Sequence, residues 1–165
     1  MSEKDTTTSS APTPAPSPME LVLQFHHTYS VPIRPFSDPT LDYERMNMRM
    51  SLIAEEFAEL MGAVYGPRAR AIIEAATVEA VAADEGERDV IEAADALADL
   101  VYVVYGMAIE SGMNLDSVLA EVQASNLSKL MPDGSVKLRE DGKVLKGPNF
   151  FQPNIARGLG LERPT

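Results

Sequence analysis

Three carboxylates lie close together in the segment IAEEFAEL, at Glu55, Glu56 and Glu59, between apolar residues that are typical of a buried helix. Because a helix turns by about 100° per residue, all three fall within one sector of about 100° on its surface. A second group in IEAADALAD, formed by Glu92, Asp95 and Asp99, shares a sector of about 60°. Like charges one turn apart destabilise a helix by roughly 0.2–0.5 kcal/mol per pair. Two such stripes on mostly apolar helices therefore need an explanation.

A divalent cation is one explanation. Mg²⁺ and Mn²⁺ prefer oxygen ligands, and helix bundles build metal sites from carboxylates on facing helices. The alternative is that both stripes are solvated faces of amphipathic helices. Both stripes occur in the most apolar helices of the chain, and few basic residues lie at helical spacing to pair with them. These two features favour the metal site.

The composition limits the class of protein. A chain of 165 residues is long enough for one domain with a real core. Its net charge of −11, from 25 acidic and 14 basic residues, disfavours duplex DNA and anionic membranes as partners. The absence of cysteine fits a reducing compartment, and no apolar run approaches the roughly 18 residues of a membrane helix. We therefore expect a cytoplasmic protein without a secretion signal.

The elements that must position the carboxylates are predicted to be helices. Residues 1–18 are rich in Ser, Thr and Pro and predict a disordered tail, 19–155 the folded domain, and 156–165 a flexible C-terminus. Apolar spacing predicts helices over 19–29, 41–65, 68–87, 88–113 and 114–131. Asn114 or Asp116 is the expected cap of the last helix, and Pro132 its end. The predicted fold is an all-α bundle of four or five helices with a short hairpin or loop around Asp141 and Gly142.

Several segments resemble one family. EEFAEL resembles the Glu-Glu-x-x-Glu signature of the MazG-like all-α nucleoside triphosphate pyrophosphohydrolases, a superfamily that includes phosphoribosyl-ATP pyrophosphohydrolases. EAAD, at residues 92–95, fits its second signature, Glu-x-x-Asp. The similarity continues through ADLVYVVYG, AEVQASNLSKL and DGKVLKGPNFFQP, and covers roughly residues 19–155. It implies a homodimer or dimer of dimers that cleaves a (deoxy)nucleoside triphosphate between the α- and β-phosphates.

The second signature can be aligned in two registers. In relatives with a similar ADLxYVxYG block, the signature aspartate directly precedes the leucine, which makes it Asp99 here. The signature glutamate then falls on Ala96, and Asp95 takes its place. The longer block favours Asp95 and Asp99 over the literal pair of Glu92 and Asp95, with Glu92 kept as an outer ligand.

The resemblance also implies roles for individual residues. The implied ligands of Mg²⁺ or Mn²⁺ are Glu56, Glu59, Asp95 and Asp99. Glu55 is a further ligand or the general base that accepts a proton from the attacking water. The predicted phosphate-binding residues are Asn126, Lys129, Lys143, Lys146, Arg139 and Arg49. The alternative for Arg49 is an ion pair with an acid across a dimer.

Other residues have weaker assignments. We expect a surface or packing role for His26 and His27, and core packing for Tyr102 and Tyr105, with base stacking by a tyrosine as the alternative. Phe150 and Phe151 are expected to anchor the tail, and Phe57 and Leu60 to enter the core. Two other functions compete: hydrolysis of phosphoribosyl-ATP in histidine synthesis, and a helical dimerisation module whose metal stripes have decayed.

Overall fold

The structure is a computed structural model that describes residues 15–139 and 142–161. These residues form six helices and no extended strand, so the all-α prediction is confirmed. No helix in these residues is long and apolar enough to cross a membrane. The helices are α1 (Pro18–Thr28), α2 (Met46–Tyr65), α3 (Pro67–Ala82), α4 (Val90–Glu110), α5 (Leu115–Leu127) and α6 (Ile155–Gly158).

Polar side chains fix where the helices begin. The Ser17 hydroxyl accepts the Glu20 N–H at 3.3 Å, and the Glu20 carboxylate accepts the Ser17 N–H at 2.7 Å, which forms a capping box for α1. Asp89 caps α4 by accepting two backbone N–H groups. Asn114 caps α5 by accepting the Ser117 N–H at 3.2 Å, so of the two predicted caps Asn114 is the one used.

Helices α2, α3, α4 and α5 are each shorter than predicted, and hydrogen bonds account for the changed ends of α2 and α5. Helix α2 starts at Met46 rather than at residue 41, because Thr40 accepts the Asp42 N–H at 3.0 Å and the chain turns there instead. Helix α5 ends at Leu127, before Pro132. The Tyr29 hydroxyl donates to the carbonyls at the end of α5, at 2.8 and 3.0 Å. These bonds satisfy acceptors that a longer helix would have used.

The chain divides into two compact units. The first unit contains α1, α5, α6 and the segment that follows residue 143, with α5 packed on both α1 and α6. Tyr29 is fully buried in this unit, and Gln123 donates to the Leu21 carbonyl at 2.9 Å. Helix α6 was not predicted. It packs so closely on α5 that a Cβ at Gly158 would lie 3.0 Å from the Val118 Cα.

The second unit contains α2, α3, α4 and residues 138–143. Helices α2 and α3 fold back on each other through Gly66, whose φ of 95° lies in the left-handed region. Gly66 and Pro67 end α2 as predicted, and Pro67 then begins α3. In the described part of this unit, α4 makes no extensive contact with another helix.

The core of the second unit is small in the single chain. Phe57 is 48% exposed and Leu60 is 38% exposed, so the prediction that they enter the core is wrong for the isolated chain. The residue of α2 that is buried is Ala58. Phe57 and Leu60, two residues of the apolar stripe on α2, are therefore left exposed in the single chain.

The loop near the C-terminus makes a tight turn. The Arg139 N–H donates to the Lys143 carbonyl at 2.9 Å, and the Gly142 N–H donates to the Arg139 carbonyl at 2.9 Å. Gly142 has a positive φ of 81°. The predicted hairpin or loop is therefore present at this position, although Asp141 lies outside the described residues.

Candidate active site

The first acidic stripe lies on α2 as predicted. Glu55, Glu56 and Glu59 are partly exposed on one side of this helix. Burial raises the pKa of Glu56, and the negative charges of Glu59 and Glu55 raise it further, while Lys143 opposes the shift. Negative charge is therefore concentrated in a place that water only partly solvates. Such a site favours a cation.

Two basic side chains contact this stripe. The Lys143 Nζ lies 3.2 Å from the Glu55 Oε2. This contact joins a predicted phosphate-binding residue to the predicted base. The Arg70 Nη2 lies 3.3 Å from the Glu59 Oε1. The sequence patterns missed Arg70, and the signal that could have found it is the Gly66 turn, which folds α3 back along α2.

Arg49 lies six residues, nearly two turns, before Glu55 on the same helix. Burial lowers the pKa of Arg49, and the nearby charge of Arg45 lowers it further. Arg45 also approaches the loop, because its Nη2 lies 3.5 Å from the Gly142 carbonyl oxygen. The second unit therefore contains four basic residues near the start of α2 and the 139–143 turn: Arg45, Arg49, Arg139 and Lys143. Arg45 was not predicted from the sequence.

The second acidic stripe is exposed on α4. Glu92, Asp95 and Asp99 all lie on the surface of the single chain, and the Glu92 N–H donates to the Asp89 cap at 3.0 Å. Within residues 15–139 and 142–161, no three Asp, Glu or His side chains come close enough together to hold a metal ion. The donor atoms that the two stripes offer are all carboxylate oxygens, which are ligands that Mg²⁺ and Mn²⁺ prefer. The two stripes are not joined into one ligand set in the isolated chain.

The other predicted phosphate-binding residues belong to the first unit. The Lys129 Nζ donates to the Asn126 Oδ1 at 2.7 Å, so this predicted pair is brought together at the end of α5. Lys129 also lies 5.9 Å from the centre of the Phe25 ring. The Lys146 Nζ lies 4.4 Å from the centre of the Phe150 ring, within cation–π range.

Some of the remaining aromatic and histidine residues contact other parts of the chain, and others are exposed to solvent. The His26 Nδ1 lies 3.1 Å from the Pro32 carbonyl oxygen, which agrees with the expected packing role. Phe151 bonds α5 through its backbone, since its carbonyl accepts the Ser125 hydroxyl at 2.7 Å. Tyr102 is 81% exposed, so its predicted core position is wrong for the single chain.

Comparison with known proteins gives a consistent result. The sequence model of the phosphoribosyl-ATP pyrophosphohydrolase family matches residues 22–126. This range includes both acidic stripes. No curated protein matches the chain.

The chain is similar to the crystal structure of a candidate NTP pyrophosphohydrolase from Exiguobacterium sp. 255-15. The TM-score is 0.66 and the sequence identity is 26%. The match covers 88% of this chain and 95% of the other. The similarity therefore extends through nearly the whole of both proteins.

Proposed function

Because the chain belongs to the phosphoribosyl-ATP pyrophosphohydrolase family, we propose that it hydrolyses a (deoxy)nucleoside triphosphate to a nucleoside monophosphate and pyrophosphate. Membership of the family makes it a hydrolase of phosphoanhydrides. The similarity to a candidate NTP pyrophosphohydrolase supports a triphosphate substrate. The observation that carries the proposal is the group of three glutamates on α2, with Lys143 3.2 Å from Glu55. The cell would use such an activity to remove unwanted nucleotides.

A highly charged triphosphate must bind a protein whose own net charge is −11. We propose that Glu56 and Glu59 of α2, with Asp95 and Asp99 of α4, hold Mg²⁺ or Mn²⁺. The raised pKa of Glu56 supports this role, because burial, together with the negative charges of Glu59 and Glu55, disfavours its ionised form, and a bound cation would offset these effects. When bound, such an ion neutralises charge that develops on the phosphate oxygens.

The register on α4 can be tested directly. If Asp99 is a ligand and Glu92 an outer one, Asp99→Asn abolishes turnover and Glu92→Gln only weakens it. Both variants remove one carboxylate from the same face of the same helix, so each controls for the other's loss of charge. The reverse order of activities would assign the literal pair of Glu92 and Asp95.

Glu55 and Lys143 are proposed to act together. An exposed ion pair contributes little free energy, so a phosphate group can take over Lys143 at small cost. This exchange releases the Glu55 carboxylate to accept a proton from the attacking water. The proposed general base thereby becomes active when the substrate is in place. Arg49, on the same helix as Glu55, is proposed to bind a phosphate oxygen.

Further phosphate contacts are proposed for the first unit. Asn126 and Lys129 are already 2.7 Å apart and present an amide and an ammonium group at the end of α5. Lys146 follows the turn that carries Lys143, and its ammonium group can bind a phosphate oxygen as a point charge. These groups supply positive charge and hydrogen-bond donors for the β- and γ-phosphates.

We propose that the working enzyme is a homodimer or a dimer of dimers. Helix α4 is nearly all apolar after Leu97, with Asp99 and Glu110 as the charged exceptions, and such a helix belongs inside a protein. In the single chain it is instead exposed, with Tyr102 at 81%. On α2, exposed apolar residues recur alternately three and four residues apart, which is the spacing of a helix–helix seam. The residues of this α2 seam are Met50, Ile53, Phe57, Leu60 and Val64.

A second copy of the chain is the occupant that explains both surfaces. Covering α4 would bury the helix that carries Asp95 and Asp99, and this assembly step is proposed to complete the ligand set. Phe57→Asp places a charge in the middle of the α2 seam and should dissociate the assembly. Val78→Asp, on an exposed position of α3 outside the seam, is the matched control and should leave the mass unchanged. Sedimentation equilibrium measures both, and a monomeric wild type would contradict the proposal.

The activity is tested with purified protein, Mg²⁺ or Mn²⁺, and a panel of dNTPs, NTPs and phosphoribosyl-ATP. Nucleoside monophosphate and pyrophosphate from a triphosphate are the expected products, and Glu59→Gln should remove the activity. Nucleoside diphosphate and phosphate would mean cleavage at the wrong anhydride. A protein that neither turns over any substrate nor binds metal would be the decayed dimerisation module.

One observation favours a second candidate. The family that matches residues 22–126 is named for hydrolysis of phosphoribosyl-ATP, a step in histidine synthesis with the same bond chemistry. Turnover of phosphoribosyl-ATP alone in the panel would select this function. The same carboxylates would serve either substrate, so the variants above retain their meaning.

A further inference from the structure

We infer that Arg70 is a positioning residue that orients the Glu59 carboxylate toward the divalent ion. The inference rests on the proposed function, because Glu59 is one of the proposed ligands. Arg70 lies on α3, outside both acidic stripes. Its role comes from the α2–α3 hairpin, since the hairpin brings its guanidinium to the edge of the stripe on α2.

Two carboxylates hold the guanidinium of Arg70. Its Nε donates to the Glu74 Oε1 at 2.7 Å, one turn further along α3. Its Nη2 lies 3.3 Å from the Glu59 Oε1 on α2. The shorter, charge-assisted bond to Glu74 anchors the planar group. The contact with Glu59 is exposed, with side chains 43% and 50% accessible, but Glu74 already orders the guanidinium that makes it. The contact therefore restricts one of the two Glu59 oxygens and leaves Oε2 for an ion.

Gly62 allows this approach between the helices. A Cβ at position 62 would lie 3.1 Å from the Cβ of Arg70 and 3.5 Å from its Cδ. The stem of Arg70 therefore passes over a position on α2 where a side chain is missing. Glycine is unfavourable in a helix interior, so its presence within α2 fits a requirement for close contact with Arg70.

Orientation and simple charge make opposite predictions for this residue. Arg70 carries a positive charge next to a site for a cation, so by charge alone its removal should tighten metal binding. If Arg70 instead orients Glu59, its removal leaves a ligand with free rotamers and weakens metal binding. Loss of residues that orient metal ligands typically costs about 10- to 100-fold in affinity. The sign of the change in affinity separates the two effects.

The experiment measures Mn²⁺ binding to the metal-free full chain by titration calorimetry. We expect the dissociation constant of Arg70→Gln to rise about tenfold. Arg68→Gln removes the same charge from an exposed position two residues away on the same helix. This control should bind Mn²⁺ as tightly as the wild type, or slightly more tightly.

A conservative variant tests the geometry. Arg70→Lys keeps the charge, but one ammonium group cannot reproduce a planar fork that contacts two carboxylates. We expect it to remain weaker than the wild type. Thermal unfolding of each variant, followed by circular dichroism, should match the wild type and so show that the fold is intact.

The outcomes separate the inference from the proposed function. If the wild type does not bind Mn²⁺, or if Glu59→Gln binds it unchanged, the metal site of the proposed function is wrong and the inference fails with it. If the wild type binds Mn²⁺ and Glu59→Gln does not, the site stands. Arg70→Gln at wild-type affinity or tighter, or Arg70→Lys at wild-type affinity, would then overturn the inference alone.

Discussion

Gly147 lies where the C-terminal loop meets the end of α5, and replacing it with alanine should disrupt that junction. Gly147 is buried, and its N–H donates to the Lys129 carbonyl at 3.0 Å. A Cβ at this position would lie 2.5 Å from the Leu130 carbonyl oxygen and 2.9 Å from that of Lys129. Both are backbone atoms, which cannot swing aside as a flexible side chain would.

The magnitude follows from these distances. A carbon–oxygen contact relaxes to about 3.3 Å, so the loop must move by roughly 0.8 Å. This shift breaks the bond to Lys129, at a cost of about 0.5–1.5 kcal/mol, and strains the packing by about 1–3 kcal/mol. We therefore expect Gly147→Ala to lower the free energy of unfolding by roughly 1.5–4.5 kcal/mol. At about 2–4 °C per kcal/mol, the melting temperature should fall by roughly 3–18 °C.

Thermal unfolding measures the effect, with Asn149→Ala as the control at an exposed position in the same loop. The control should change stability by less than about 0.5 kcal/mol. The clash also displaces Lys146, the neighbouring residue, so the KM for a triphosphate should rise with little change in kcat. A Gly147→Ala protein as stable as the control would refute the close approach of the two backbones.

Three further predictions concern other parts of the chain. The pKa of Glu56 is raised in the folded state, so the folded protein holds this proton more tightly than the unfolded chain does. The metal-free protein should therefore lose stability as the pH rises from about 4.5 through the raised pKa. Glu56→Gln should remove this loss. If the melting temperatures of this variant and of the wild type depend on pH in the same way, the raised pKa of Glu56 is contradicted. Tyr29→Phe leaves two carbonyls at the end of α5 without their donor and should cost about 1–3 kcal/mol in urea unfolding; an unchanged midpoint would mean that water replaces the hydroxyl. Arg157→Met breaks the paired bonds to Glu121 at 2.6 and 2.7 Å, so amide exchange in α6 should become faster while the core of α5 stays protected; equal exchange in α6 would show that the ion pair does not hold it.

The long helices could be predicted because each carries its own local signals. Apolar spacing marks the bodies of α2 and α4, Asn114 caps α5, and Gly66 with Pro67 separates α2 from α3. The ends of α2 and α5 were less predictable, because bonds from outside the helix decide them. Tyr29 fixes the end of α5 from nearly 100 residues away in sequence. No local pattern contains such a contact.

Helix α6 could not be predicted for the same reason. Four residues are too few to show apolar periodicity. The helix exists because Gly158 fits against Val118 and because Arg157 pairs with Glu121 on α5. Both contacts are tertiary, and they become visible only when the path of the chain is known.

The candidate site divides in a similar way. The spacing of Glu55, Glu56 and Glu59 was sufficient to place them together on one helix, because helical geometry is local. The contact between Lys143 and Glu55 joins positions 88 residues apart. The family resemblance pointed to both residues, whereas the spacing alone pointed only to Glu55. Neither spacing nor the resemblance pointed to Arg70, and its one signal was indirect, because the Gly66 turn folds α3 back along α2.

Burial is where the single chain departs most from its sequence. Apolar periodicity predicts which residues avoid water, but it does not say whether the covering surface belongs to the same chain. For Phe57 and Tyr102 the covering surface is absent from the single chain. If a second copy supplies it, folding of the apolar helices and completion of the carboxylate ligand set are one event. Stability and metal affinity should then rise together with protein concentration, because both depend on the same association.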